Sequence, residues 1–168
     1  MELGPMFLGQ LERESSATRR TIERVPEGRN DWKPHQKSMT LGYLAALVAT
    51  MPGWAEFMIE RDELDLSDPS SEAFKTKTAD TNQELLQRFE EGVGKSRRAL
   101  QKATEEHLLR PWRFAMGGQV LFEAPRYVVL SESLFGHLAH HRGQLTVYLR
   151  LNDAPVPAIY GPSADEGH

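Results

Sequence analysis

Residues 130–151 read LSESLFGHLAHHRGQLTVYLRL. Leu130, Leu134, Leu138, His141, Leu145 and Tyr148 recur at steps of three and four, which is one stripe of an α-helix. The helix is expected over about residues 125–152, between Pro125 and Asn152-Asp153. Three other stretches share its period. In the first, Phe7, Leu8, Leu11, Ser15, Thr18, Ile22 and Val25 lie on one face, and Pro26-Glu27-Gly28 stops the helix. The second opens with Ser38 as its N-cap and runs through Leu41, Leu44, Ala45, Leu47, Val48 and Met51. Pro52-Gly53 breaks it, and a short helix follows over residues 52–61, since Pro suits a first turn. The third covers residues 81–106 with Leu85, Leu86, Phe89, Val93, Leu100 and Ala103 on its stripe. Thr81 and Glu84 have the capping-box spacing there, with Asp80 as a rival cap. Four amphipathic helices imply an all-α fold, an antiparallel four-helix bundle forming a single domain over residues 1–168.

The connections are less regular. Residues 60–72 are acidic, contain Pro69-Ser70-Ser71 and read as a solvated loop. Between Pro111 and Pro125, Gly117-Gly118 separates two apolar runs and predicts a small β-hairpin before the last helix. The tail after Asn152 carries Pro155, Pro157 and Pro162 and is expected to be extended, strapped across the helices by Ile159 and Tyr160.

Composition narrows the function classes. The chain has 168 residues, a formal net charge of -4 and no cysteine. The acidic balance argues against nucleic-acid binding. Without cysteine there is no disulfide, thiolate metal site or cysteine nucleophile. The longest uncharged stretch, residues 38–55, is broken by Gly42, Pro52 and Gly53, so no membrane span is expected and the default location is the cytoplasm. No P-loop, nucleophile elbow or dinucleotide fingerprint is present. The cationic side chains Lys95, Arg97, Arg98 and Lys102 are offset by Glu90, Glu91, Glu105 and Glu106 and read as a solvated face. Trp32, Trp54 and Trp112 read as packing residues under loops, and Arg142 as a partner for a carboxylate or a subunit contact.

The histidines are the chemical feature. His137 and His141 stand four apart, which stacks their imidazoles one helical turn apart. They share the stripe of Leu134, Leu145 and Tyr148 and are expected to point inward, with His140 to one side. Two nitrogens so placed can bind one metal ion through bonds of about 2.0–2.1 Å. The alternative is a pair of core histidines bonded to Gln144, Tyr148 or a backbone carbonyl, because a buried imidazole needs a partner. No Glu follows the first histidine, so the zinc-protease pattern is absent.

The string from His137 to Arg150 resembles the closing helix of the DinB-like (YfiT-like, damage-inducible) family. The tail, with Pro155-Val156-Pro157 and Tyr160-Gly161-Pro162-Ser163-Ala164-Asp165, resembles that family too, as does Trp32-Lys33-Pro34-His35 with Lys37-Ser38-Met39-Thr40-Leu41-Gly42. The resemblance implies a four-helix bundle, often a homodimer, with a three-histidine metal site. Some members are thiol-dependent transferases or isomerases, and some are hydrolases. His137 and His141 match two ligands, while Leu47 occupies the position of the third, on the second helix. Leucine cannot bind a metal. The expectation is therefore a two-His site with weak or absent affinity for zinc or nickel. Glu84, Glu90 or Glu91 would replace the missing donor only if one faces inward. The alternatives are a metal-dependent thiol transferase or hydrolase with another third ligand, and a non-catalytic, stress-associated homodimer. The resemblance assigns no catalytic residue and no substrate.

Overall fold

The computed structural model describes residues 2–167. It is mostly helical, with one small sheet. Helix α1 is Leu3–Ile22, α2 is Leu41–Thr50, α3 is Trp54–Glu60, α4 is Asn82–Lys102, α5 is Glu105–Leu109, α6 is Arg126–Val129 and α7 is His137–Leu151. A 3-10 turn, Met51–Gly53, joins α2 to α3, and a π-helical segment, Leu130–Gly136, joins α6 to α7. Strands β1 (Glu63–Asp65), β2 (Pro111–Met116) and β3 (Gln119–Pro125) form the sheet in that order. Helix α1 packs on α2, α4 and α7, and α2 packs on α4 and α7. Phe7, Leu11, Leu44, Val48, Leu85, Phe89, Leu138 and Leu145 come from those four helices and are buried in one core. No helix among the described residues is long and apolar enough to cross a membrane.

The helix boundaries follow local chemistry. Thr40, not Ser38, caps α2: its Oγ1 accepts from the Tyr43 amide at 3.3 Å. Leu41 and Gly42 also donate their amides to the Trp32 and Asn30 carbonyls, so the preceding loop supplies what the first turn lacks. Thr81 caps α4 by accepting from the Glu84 amide, while the Glu84 carboxylate accepts from the amide of Asp80. The expected third helix is interrupted. Ala103 is extended, and Thr104 starts α5 by accepting from the His107 amide. His107, on that short helix, donates Nε2–H to the Ile59 carbonyl at 2.6 Å.

The acidic connection is not wholly a loop. Its residues Glu63–Asp65 run parallel to β2, pairing Leu64 with Phe114 and Asp65 with Ala115. Strands β2 and β3 form the expected hairpin around Gly117 and Gly118, whose φ values of +60° and +78° suit glycine. One carboxylate ties the turn to β1. Asp65 accepts from the amides of Ser67, Gly117 and Gly118 and from the Ser67 hydroxyl. These bonds, that from the Ser67 hydroxyl first, hold its pKa far below the usual carboxylate range.

Two buried arginines lock the remaining pieces. Arg126 donates to the carbonyls of Met58, Arg61 and Pro111 and pairs with Asp62, fastening the sheet to α3. Arg142, on α7, donates to the Glu14 carbonyl and carboxylate, the Thr18 hydroxyl and the Tyr160 hydroxyl. The tail crosses as an irregular strap, but polar contacts hold it more than Ile159 does. Tyr160 is 75% exposed and contributes its hydroxyl, while Asp165 and Glu166 pair with Arg150 and Arg24.

Candidate functional site

The histidine pair sits where the π-helical segment passes into α7. His141 faces inward and is 9% exposed, whereas His137 is exposed. The expectation that both rings point into the core is therefore half corrected. His137 is about 100° around the helix from buried Leu138, at the edge of the stripe rather than on it. The two rings still meet, with their Nε2 atoms 2.8 Å apart. On its other side, His141 Nδ1 lies 2.8 Å from Gln144 Oε1.

The Gln144 carboxamide oxygen only accepts, so His141 carries its hydrogen on Nδ1 and leaves Nε2 as a lone pair. His137 then donates Nε2–H to that lone pair. Burial, the largest influence, lowers the pKa of His141, and repulsion from His137 and His140 lowers it further, against the opposing bond to Gln144. His140 is exposed and stands edge-on to His141, with ring centres 5.0 Å apart.

The donor set fits a divalent ion in part. Two Nε2 atoms face one point, and Gln144 orients His141 as outer hydrogen bonds orient metal-binding histidines. Bonds of about 2.0–2.1 Å at tetrahedral angles would separate the nitrogens by about 3.3 Å, so the rings need part by only about half an ångström. A third protein donor is missing. Among the described residues, no group of three His, Asp or Glu side chains is placed to hold a metal ion. Leu47 is buried on α2, which packs on α7. The carboxylates weighed as replacements are exposed and engaged elsewhere. Glu84 bonds the Asp80 amide, Glu90 pairs with Arg19, and Glu91 accepts from Gln87.

A cavity of about 520 Å³ opens beside His137. Trp54, Met58, Leu64, Leu66, Phe74, Trp112, Phe114 and Phe122 form its apolar wall, and Glu132, Ser133 and His137 its polar side. Trp54 and Trp112, expected as packing residues under loops, line this cavity, and Leu64 and Leu66 from the expected solvated loop lie beside them. The alternation Glu63-Leu64-Asp65-Leu66 was the available signal for a strand.

The DinB family model matches residues 4–168. The chain belongs to the DinB family. Two solved DinB-like proteins share the DinB fold described above. One is from Bacillus cereus ATCC 10987 and superposes with a TM-score of 0.68 at 20% identity, covering 92% of this chain and 95% of its own. The other, YjoA of Bacillus subtilis, also gives 0.68 at 20% identity, covering 90% of this chain and 95% of its own. No curated protein matches the chain.

Proposed function

We propose that this chain is a DinB protein with a two-imidazole metal site, in which His137 and His141 hold a divalent ion, zinc or nickel, only weakly. The facing Nε2 atoms, 2.8 Å apart and oriented by Gln144, carry this reading. Leu47, in the position of the family's third donor, supports the low affinity. An ion held by so few protein ligands would supply Lewis-acid chemistry to a bound oxygen or sulfur. The thiol-transferase and hydrolase alternative needs a third donor, and no described carboxylate supports one. In this reading α1, α2, α4 and α7 make an antiparallel four-helix bundle in a single domain. The cysteine-free chain fits the cytoplasm.

A second reading, a homodimer, is favoured by exposed apolar side chains on adjacent helices. Val147 and Leu151, one turn apart on α7, are exposed, as is Tyr43 on α2. Light scattering at micromolar concentration tests it, with twice the chain mass expected and a monomer contradicting it. For the metal, tag-free protein titrated calorimetrically with zinc and nickel should bind one ion per chain at micromolar or weaker affinity. His141→Ala should abolish that binding. No binding, or tight binding that survives His141→Ala, would overturn the reading.

A further inference from the structure

The polar side of the cavity deserves a ligand of its own. Glu132 and Ser133 lie five and four residues before His137 in the chain. On a regular α-helix, residues five apart diverge by about 140°. The π-helical segment, Leu130–Gly136, hydrogen-bonds with a longer period that brings residues five apart onto one face. Glu132, Ser133 and His137 thereby line the same cavity. Among the described residues, the Glu132 carboxylate, the Ser133 hydroxyl and His137 Nδ1 have no hydrogen-bond or ion-pair partner.

Their chemistry selects a head group. His137 turns its Nε2 to His141, and its Nδ1 has no partner. Glu132 accepts and is anionic. Ser133 both donates and accepts. A ligand must therefore bring a donor, and a negative head would meet the Glu132 charge. The remaining wall is apolar and rich in aromatic rings. Trp54 lies 6.1 Å from the His137 ring and 5.9 Å from Phe74, so one aromatic surface reaches the polar side. A cavity of about 520 Å³ falls within the roughly 300–1,000 Å³ of small-molecule sites and admits two fused rings.

We propose that this cavity binds a small aromatic molecule bearing a hydrogen-bond-donating head, an alcohol or an amine. Its rings lie against Trp54, Trp112 and Phe122, and its head lies on Glu132, Ser133 and His137. The proposal rests on the histidine-pair reading for the orientation of His137 and needs no metal. The strand that carries Phe122 is at the sheet edge, so the ligand has an open way in.

The experiment uses the full chain in excess chelator, titrated calorimetrically with three probes on one skeleton: 2-naphthylmethanol, 2-naphthylmethylamine and 2-naphthoate. The alcohol and the amine should saturate near one per chain, with the carboxylate at least about tenfold weaker. Glu132→Gln should narrow that gap to about threefold or less, an effect that a structural role for Glu132 would not produce. Ser133→Trp should abolish binding of all three. If that variant does not fold, Phe122→Ala on the exposed edge strand carries the test and should weaken all three by about tenfold. No saturable binding would overturn the proposal, as would a carboxylate that binds as tightly as the alcohol, or binding unchanged in Phe122→Ala. Because chelator is present throughout, failure of the metal reading leaves these outcomes intact. Their failure leaves the zinc titration unaffected.

Discussion

Replacing Arg142 by methionine keeps the apolar stem and removes the charge. Arg142 is 1% exposed and holds three parts of the chain together. Its Nη1 lies 3.1 Å from the Glu14 carbonyl and 3.0 Å from Thr18 Oγ1. Its Nη2 lies 2.6 Å from both Glu14 Oε2 and the Tyr160 hydroxyl. The variant leaves Glu14, with a side chain 13% exposed, as a carboxylate without its cation. Removing one partner of a buried pair costs about 3–5 kcal/mol. Glu14 keeps the Tyr160 hydroxyl at 2.9 Å, which places the loss near about 3 kcal/mol. For a chain of this size that lowers Tm by about 6–12 °C. Urea unfolding at pH 7, followed by circular dichroism, measures the loss directly. The double variant Glu14→Gln/Arg142→Met should recover much of it, because the stranded charge is gone. A loss under about 1 kcal/mol in the single variant, or no recovery in the double, would contradict this role for Arg142.

Three further outcomes are expected. His141 has a folded pKa below its ordinary 6.5, so the unfolded chain binds the extra proton first. Its contribution is full above about pH 6.5 and is lost as pH falls through the interval beneath; His141→Gln should flatten the fall in urea midpoint between pH 7.5 and 5.5. Asp65→Asn removes the charged acceptor of the hairpin turn, and the Gly117 and Gly118 amides should exchange faster with solvent. The depressed Asp65 pKa means that wild-type protection persists well below pH 3.8, so loss of protection at pH 4 would contradict this role. Gly92→Ala places a Cβ 3.1 Å from the Gly53 Cα, where α4 meets the turn before α3. Backbone meets backbone there, so the cost should be about 1–3 kcal/mol in thermal unfolding, and a neutral result would show that the helices can separate.

The long helices were legible because their faces are simple. Leu85, Phe89, Val93 and Leu100 are all buried on α4, as their spacing requires. The hairpin was legible through Gly117-Gly118, since both glycines take positive φ. Strand β1 was not, because three residues with charged neighbours become a strand only when β2, far along the chain, arrives beside them. The same long-range pairing hid the cavity, whose walls come from α3, the sheet and the π-helical segment. That segment also explains Glu132. A reading at the α-helical period puts it on a different face from His137, and nothing in residues 130–136 announces the longer period. His137 and His141 were correctly brought together by their spacing, but the outward tilt of His137 depended on about 40° around the helix. That angle lies within the width of an apolar stripe.

The proposed two-imidazole metal site is best tested by placing a third imidazole at position 47. Zinc affinity is measured by competition with a chromophoric chelator for the wild-type chain and for Leu47→His. Wild-type affinity in the micromolar range or weaker, tightened by at least about 100-fold in Leu47→His, is the expected result. Wild-type protein that already binds zinc as tightly as Leu47→His would contradict it, because a third donor would then exist elsewhere in the chain.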